Sequence, residues 1–475
     1  MRSRADQFEV AYHQRLPAPD PPSTPKIPAE IIKPWILPPP QTYIFQNINI
    51  VDPISGTILP NRNVHLANGK ITSITSTTQP DSRATTPLLQ NAISIDGTGK
   101  FLSPGLIDAH VHLTSVPGEP DLRSAMSVPS TVSLLRQPFQ ARAMLARGFT
   151  TVRDCGGASL ALKEAIADGV FPGPRLFIAG HALSQTGGHG DRRSAHERQQ
   201  GGGCGCDELA GLSQVVDGEP EVLRAAREQL RQGADFLKLM VGGGVASPTD
   251  RLGSTQFTDG EIRAAAGVAA ASETFATAHA YTARAIRRAV ENGVRGIEHG
   301  NFVDAATAAF MAARGVYLTP TLIAYKAMAD PRYAAFLPAE SREKNEMVLR
   351  EGLASLRIAQ EAGVTMSFGS DLLSFLGVEQ LGEFGLRAQV LAAEEVLKHA
   401  TVNPAKMLGQ EERLGQVGEG FVADVLVLNA NPLQDITVFE RPEKHLLAVI
   451  KEGRVYNSRW SKLPVDVNPR TSLLE

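Results

Sequence analysis

The feature that most constrains the fold is an alternation that runs through the middle of the chain, from about residue 105 to residue 400. Short apolar runs of strand character alternate there with longer stretches rich in Ala, Leu, Glu and Arg, the pattern of repeated βα units. Eight such units close into a (β/α)8 barrel of about 250 residues, with catalytic groups at the carboxyl ends of the strands. The sequence therefore predicts an α/β fold of the TIM-barrel type. The predicted strands are LIDAHVHL from Leu106, TTVRDCG from Thr150, RLFIAG from Arg175, FLKLMV from Phe236, ATAHAY from Ala276, GIEHG from Gly296, VYLTPTL from Val316 and MSFGSD from Met366.

Two β-rich segments flank the predicted barrel, at residues 45–104 and 401–460. Both alternate short apolar runs with turns, and Asn68 followed by Gly69 is a pair typical of a tight hairpin. We predict a small antiparallel sheet from the first segment and further short strands from the second. The chain ends are predicted to be tails: a proline-rich extended segment at residues 1–44, which cannot form a helix or a ladder, and residues 461–475.

Composition excludes several classes of protein. The chain has 47 basic and 50 acidic side chains and no basic block, so a nucleic-acid partner is not expected. It has no apolar run of the roughly 20 residues that span a bilayer and no apolar core of a secretory signal, so we expect no membrane partner and a cytoplasmic location. The chain has three cysteines, Cys155, Cys204 and Cys206, which are too few for a disulfide framework. The last two lie in HERQQGGGCGCDEL, where no further cysteine is near enough to complete a metal site, and we interpret this segment as a lid.

Four histidines lie near the carboxyl ends of predicted barrel strands. His110 and His112 are on the first strand, His279 is on the fifth and His299 is on the sixth. Side chains two residues apart on a strand point to the same face, so the first two can bind one metal ion as neutral imidazoles. An H-x-H pair taken alone is also compatible with simple packing or exposure. The other residues at these strand ends favour the metal site.

Lys238 is placed by the pattern inside a strand that is buried on both faces, where a lone ammonium is unfavourable. One interpretation is that its pKa falls or that its head group reaches solvent at the barrel mouth. The other is that its neutral amine captures carbon dioxide, giving a carbamate whose two oxygens bridge two cations about 3.5 to 4 Å apart. The neighbouring histidines favour the carbamate.

Asp371 ends the eighth predicted strand in SFGSD. A carboxylate there can bind one metal ion and accept a proton from the water between two ions. An aspartate that follows a strand can instead cap the next helix. Both roles remain open at this point, and the histidines favour the catalytic one.

Together these motifs resemble those of the amidohydrolase superfamily, in its branch with two metal ions and a carbamylated lysine. The resemblance covers roughly residues 45–460 and rests on SPGLIDAHVHL, GADFLKLMVGGG, AHAYT, GIEHG, GSD and the run HATVNPAKMLG leading into GEGFVADVLVLNANPL. It implies that the two flanking β segments join as one small β-sandwich domain beside the barrel. It also implies two divalent ions, by default zinc, and carbon dioxide for the carbamate.

The resemblance assigns a role to each candidate residue. It implies that His110, His112 and Asp371 hold a buried ion, that His279 and His299 hold a more exposed one, and that carbamylated Lys238 binds both. It also implies attack by a metal-bridging hydroxide on a polarised carbonyl, with Asp371 moving the proton to the departing amine.

The motifs ALSQTGGHGD, KLMVGGGVASPTD and AHAYTARAI are most similar to ochratoxinase, prolidase-like dipeptidases and other N-acyl amino acid hydrolases. Their substrates carry a free carboxylate beside the cleaved amide, which calls for cationic or donor-rich contacts. Candidates after the third strand are His189, Arg192 and Arg193, although His189 is equally compatible with a solvated loop position. Tyr281 is a candidate for the oxyanion or the carboxylate, or else a packing aromatic.

Three alternatives remain. A cyclic amidase or imidazolonepropionase-like enzyme fits the same fold. A deaminase is disfavoured by Lys238, and a non-catalytic scaffold is disfavoured by the full set of candidate ligands. We therefore predict a metal-dependent hydrolase with a small-molecule amide substrate, acting as a homo-oligomer.

Overall fold

The computed structural model describes residues 27–77, 92–194, 196–197 and 211–467. Its strands are β1 (Tyr43–Asp52), β2 (Thr57–Ala67), β3 (Lys70–Ser76), β4 (Ile93–Asp96), β5 (Phe101–Pro104), β6 (Leu106–Val111), β7 (Phe149–Asp154), β8 (Arg175–Ile178), β9 (Ala182–Ser184), β10 (Ser213–Val215), β11 (Leu237–Met240), β12 (Ala276–Thr282), β13 (Gly296–Phe302), β14 (Tyr317–Thr319), β15 (Val425–Leu428), β16 (Leu446–Lys451) and β17 (Arg454–Ser458).

The helices alternate with the strands through the middle of the chain. In the described ranges, no helix is both long enough and apolar enough to cross a membrane. The helices are α1 (Ala29–Ile32), α2 (Leu122–Met126), α3 (Ser130–Ala146), α4 (Leu160–Ala167), α5 (Glu219–Arg231), α6 (Asp259–Ala271), α7 (Ala283–Glu291), α8 (Ala305–Ala313), α9 (Leu322–Ala329), α10 (Ala339–Glu361), α11 (Gly382–Arg387), α12 (Ala393–His399), α13 (Val402–Met407) and α14 (Pro442–His445).

The chain divides into two units, residues 1–36 and residues 37–475. The described part of the first unit contains α1, a single turn that follows Pro28. The prediction of a tail without helix is wrong here, because a proline just before the first turn removes no helical hydrogen bond. The predicted tail also ends too late, since β1 begins at Tyr43. Residues 1–26 lie outside the described residues.

Parallel strands form the centre of the second unit. Strands β6, β7 and β8 make a three-stranded sheet, and the order β10-β9-β11-β12-β13-β14 makes a six-stranded sheet in which every pair is parallel. Every residue of β6, β7 and β11 is buried, as expected for parallel strands covered on both faces. Seven of the eight predicted barrel strands are therefore strands in the structure.

The eighth predicted strand, from Met366, is not a regular strand. One bridge joins Met366 to Leu318 of β14, and on the other side Ala109 N of β6 donates to Phe368 O at 2.8 Å. The segment therefore contacts both parallel sheets without continuous pairing. Phe368 N donates to the His399 carbonyl, outside both parallel sheets, so the backbone of the segment forms no continuous ladder with a neighbouring strand.

The flanking β segments join in one mixed sheet of order β17-β16-β15-β5-β1-β2-β3, with β4 paired to β1. The two segments meet where β15 pairs antiparallel with β5. The prediction of a wholly antiparallel first segment is wrong, because β1 pairs in parallel with both β4 and β5. Register shifts within β1 allow its first half to pair with one strand and its second half with the other. Strand pairing is thus continuous from β17 to β3, and the two flanking segments form one small β domain.

Arg175 on β8 links the parallel sheets to this β domain. Its guanidinium lies 2.5 Å from Asp424 Oδ2 and 2.6 Å from Glu452 Oε1. Leu426 and Val449 of the β domain also pack into the same apolar cluster as Leu106 and Phe149. The β domain is therefore fixed to the edge of the sheets that carries the strand amino ends, away from the histidines.

Candidate metal and active site

The four candidate histidines form one cluster at the carboxyl ends of the parallel strands. His110 lies on β6, His112 is the first residue after β6, His279 lies on β12 and His299 lies on β13. All four are buried. The ring centroids of His110 are 5.3 Å from His112 and 5.1 Å from His299, and those of His279 and His299 are 4.6 Å apart.

Asp371 joins this cluster through its carboxylate. Its Oδ1 lies 3.2 Å from His112 Nε2 and 3.4 Å from His110 Nε2, and its Oδ2 lies 3.9 Å from His299 Nδ1. Ligand atoms of His110, His112 and Asp371 all lie within 4.8 Å of one another. Two imidazoles and a carboxylate form a donor set suited to a divalent ion. The helix-cap alternative is wrong, because the next helical turn, Ser374–Glu379, has no side-chain cap.

Lys238 lies on β11 and is 1% exposed, so the alternative in which its head group reaches solvent is wrong. Its charge acts on the histidine cluster. Burial, followed by the charge of Lys238, lowers the pKa of His110 to about 4. Burial, with the charges of His110 and Lys238, holds the pKa of His299 well below its usual value. These imidazoles are neutral at pH 7, the state that binds metal ions.

His110, His112 and His279 each direct one ring nitrogen at a carboxylate or carbonyl acceptor, which fixes the tautomer and turns the other nitrogen toward the cluster. The nitrogen that faces the cluster is Nε2 in His110 and His112, where it lies near Asp371 Oδ1, and Nδ1 in His279. The acceptors are Glu298 for His110 Nδ1 at 2.8 Å, the Gly156 carbonyl for His112 Nδ1 at 2.9 Å and the Gly243 carbonyl for His279 Nε2 at 3.0 Å. His299 Nδ1 lies 2.8 Å from Thr321 Oγ1 and 3.0 Å from the Tyr325 hydroxyl.

Glu298 and Arg153 support the site and were missed by the sequence analysis. Arg153 Nη2 donates to both carboxylate oxygens of Glu298 at 2.7 Å, and Thr277 Oγ1 donates to one of them. The charges of Arg153 and Lys238 outweigh burial and hold the pKa of Glu298 well below its usual range, so it accepts the proton of His110 Nδ1. The sequence signal that could have found them is that each places one charged residue, of opposite sign, inside a predicted buried strand, where a charge needs a partner.

Two residues of the cluster have a left-handed backbone conformation. His299 has φ of +74° and Asp371 has φ of +49°, left-handed values that cost about 1 to 3 kcal/mol for residues other than glycine. Such strain concentrates at functional sites, where the surrounding structure enforces it.

Tyr281 lies beside the cluster, and the bond that its hydroxyl makes to Tyr325 uses its oxygen as the acceptor. Its ring is 4.8 Å from that of His279, and Tyr325 OH donates to Tyr281 OH at 3.0 Å. Burial raises the pKa of Tyr281, so the phenol stays protonated. Tyr325, which bonds both Tyr281 and His299, lies on α9 and carried no sequence signal.

A cavity of about 350 Å³ opens onto His112 and Asp371. His189 lines it, stacks on His279 at 4.1 Å between centroids and bonds Ser247 Oγ at 2.8 Å, so it is not a solvated loop residue. Arg192 also lines the cavity. Apolar wall residues include Met126, Leu212, Met240, Pro248 and Leu373.

The other arginine of this loop is not available to the cavity. Arg193 pairs with Asp191 through two hydrogen bonds of 2.7 and 2.6 Å. Cys204, Cys206 and most of the predicted lid lie outside the described residues.

Parallel strands with a polar cluster at their carboxyl ends define the class of α/β enzymes that bind substrate at this edge. The chain belongs to the Amidohydrolase family, whose sequence model matches residues 101–456. Because it belongs to this family, the chain is assigned to the hydrolases.

The relatives narrow the assignment to one branch. Ochratoxinase from Aspergillus niger is 31% identical over 370 residues, covering 75% of each chain. The crystal structure of that ochratoxinase superposes with a TM-score of 0.76 at 27% identity, covering 89% of this chain and 96% of that one. A prolidase crystallised with N-methylphosphonate-L-proline gives a TM-score of 0.83 at 40% identity, covering 88% and 100%. The chain thus falls in the ochratoxinase and prolidase branch, as its motifs predicted.

Proposed function

We propose that the protein is a binuclear metal-dependent amidohydrolase that cleaves the amide bond of an N-acyl amino acid, a dipeptide or an ochratoxin-like amide. The main support is that the buried cluster of histidines, Asp371 and Lys238 adjoins a cavity. That cavity is lined by Arg192, which has no acidic partner among the described residues. The ochratoxinase and prolidase relatives support this substrate class.

The residues present fit two divalent ions. His110, His112 and Asp371 would hold one ion, His279 and His299 the other, and Lys238 as a carbamate both. Zinc suits these nitrogen and oxygen donors. When bound, the ions would supply Lewis acidity toward the substrate carbonyl and lower the pKa of a water molecule.

Asp371 would move the proton. Burial raises its pKa, but the contacts with His110 and His112 outweigh burial and lower the pKa to about 2, so Asp371 is a carboxylate at neutral pH. Its Oδ atoms face the cluster and the cavity, where they would accept a proton from the attacking water and return it to the leaving nitrogen.

Arg192 would bind the substrate carboxylate. Its Nη1 donates to the Met126 carbonyl at 2.9 Å, and among the described residues it has no acidic partner within ion-pair distance. A guanidinium binds a carboxylate through paired hydrogen bonds. His189 and Tyr281, which flank His279, would add donors for the substrate oxygens.

We also propose that the two parallel sheets close into a (β/α)8 barrel. At one junction Asp235 N, just before β11, donates to Ile178 O of β8 at 2.7 Å. At the other, the segment around Phe368 bonds β6 and β14. Closure would bring the ends of all eight units around one cavity.

The direct test is hydrolysis of a substrate panel by protein loaded with zinc in bicarbonate buffer. The panel holds N-acyl amino acids, Xaa-Pro dipeptides, ochratoxin A and cyclic amides, and mass spectrometry detects the products. Release of a free amino acid is the expected result. Turnover of cyclic amides alone would overturn the proposed substrate class.

Replacing Arg192 with glutamine should raise KM for a carboxylate substrate by about tenfold to a hundredfold, because a charge-assisted pair is lost. KM for the matching carboxamide should stay within about twofold. Steady-state kinetics on the substrate pair measure this difference. Arg231→Gln, an exposed change on α5, is the matched control. An equal loss on both substrates would contradict the carboxylate assignment.

Gly244→Ala tests the position of His189. An added Cβ at Gly244 would lie 1.9 Å from His189 Cε1, so the imidazole must move. A displacement of about 1 Å in a substrate contact lowers kcat/KM by about a hundredfold. Gly253→Ala in the same loop is the control, since its Cβ meets nothing within 4 Å. Equal kcat/KM values for the two variants would argue against a role for His189.

A further inference from the structure

The loop between β11 and α6 forms one wall of the cavity through Ala246, Ser247 and Pro248. Its backbone pairing lies at its base, where Gly242 bridges Thr255. The tip, residues 244–250, depends on side chains for its conformation. A loop of this kind opens easily unless such contacts hold it.

Lys344 holds the tip of this loop by side-chain hydrogen bonds, and it lies on α10, another element that lines the cavity. Its Nζ donates to the carbonyl oxygens of Gly244 at 3.2 Å, Ser247 at 3.0 Å and Asp250 at 2.7 Å. An ammonium has three protons, so these acceptors use its full capacity. The Asp250 carboxylate lies 3.6 Å away, and the Lys344 side chain is only 20% exposed, which limits screening.

The Asp250 carboxylate forms hydrogen bonds within the loop. Its Oδ2 accepts from Gly244 N at 3.1 Å and from Gln256 Nε2 at 2.8 Å, and its Oδ1 accepts from Ser247 Oγ. The carboxylate thus ties the start of the tip to its end, and Lys344 binds the assembled turn.

The loop between β11 and α6 contacts the active site at two points, Ser247 in its tip and Gly243 at its paired base. Ser247 Oγ bonds His189 Nδ1 at 2.8 Å, and the Gly243 carbonyl accepts from His279 Nε2 at 3.0 Å. The start of α10 lines the same cavity through Glu340 and Ser341. Lys344, which is one turn further along α10, therefore joins two walls of one cavity.

We infer that Lys344 is a positioning residue that fixes the loop at residues 244–250 against α10 and thereby sets the substrate affinity of the cavity. The inference deepens the proposed function and rests on it. Lys344 contacts backbone carbonyls and Asp250, not the cavity surface, so it acts through the loop. Its loss should weaken binding while leaving the proton transfer at Asp371 in place.

The test is Lys344→Met, which keeps the length and removes the donors. Hydrogen exchange followed by mass spectrometry should show faster exchange confined to the peptide that carries residues 244–250. KM should rise about tenfold while kcat stays within about twofold, because hydrogen bonds that shape the binding site are lost. Lys344→Arg should restore most of the affinity.

Lys398→Met is the matched control, because Lys398 on α12 has a similar exposure and one ion pair, with Glu395 at 2.6 Å. It should leave loop exchange and KM unchanged. Unchanged loop exchange in Lys344→Met overturns the inference, as does a loss of kcat alone. If the wild type hydrolyses nothing on the panel, the proposed function fails, and loop exchange still decides whether Lys344 positions the loop.

Discussion

Lys238→Ala is expected to lower kcat on the amide substrate by about a thousandfold or more, because it removes the group proposed to hold both ions. Lys238 is buried, and its charge acts on His110 and His299 of the cluster. Metal content, measured by inductively coupled plasma mass spectrometry, should fall in parallel. A short carboxylic acid such as acetate or propionate should restore part of the activity by supplying two oxygens in the space left by the side chain.

Lys451→Ala is the matched control for this experiment. Lys451 is also a buried lysine on a strand, β16, but it packs on Tyr456 in the β domain. Its replacement should reduce stability and leave kcat and metal content unchanged. Full activity of Lys238→Ala would contradict the proposed carbamate, and so would a loss of activity without any loss of metal or rescue by acids.

Arg387→Met is expected to lower the free energy of unfolding by about 3 to 5 kcal/mol, because it leaves a buried carboxylate without its partner. Arg387 Nε donates to Glu383 Oε1 at 2.8 Å, and its Nη2 donates to the Pro320 carbonyl at 2.8 Å. Glu383 also accepts from Ile323 N at 2.7 Å. The network therefore fixes the turn between β14 and α9. Urea unfolding, monitored by circular dichroism, measures the change.

Two comparisons make this result specific. Arg332→Met removes a solvent-exposed arginine that pairs with Asp330 and Glu379, and it should cost no more than about 1 kcal/mol. The double change Glu383→Met with Arg387→Met should recover part of the stability lost in Arg387→Met, because no unpaired charge remains. Equal effects of Arg332→Met and Arg387→Met would contradict the role assigned to the buried network.

The turn fixed by Arg387 also bears on the site. It presents Thr321, whose Oγ1 lies 2.8 Å from His299 Nδ1, and Tyr325, whose hydroxyl lies 3.0 Å from the same atom. Loss of the network is therefore expected to disturb the tautomer of His299 as well as the stability of the fold.

Errors in the predicted fold arose where pairing partners are remote. The segment from Met366 has the composition of a strand, yet it forms a single bridge with β14 and its Phe368 amide donates to the remote His399 carbonyl. The parallel pairing of β1 with β4 and β5 depends on irregularities within β1 that bring two partners to one strand. Composition and periodicity describe a strand but do not specify its neighbours.

The sequence by itself determined the βα alternation, seven of the eight predicted parallel strands and the positions of the four histidines and Lys238 on those strands or directly after them, because strand periodicity and spacing are local properties. Only the tertiary structure decided which ring nitrogens bond to protein acceptors and which face the cluster. Glu298, which fixes the tautomer of His110, is 188 residues away from it, and Lys344 reaches a loop about a hundred residues earlier. Such contacts depend on the packing of distant elements, and no local pattern encodes them.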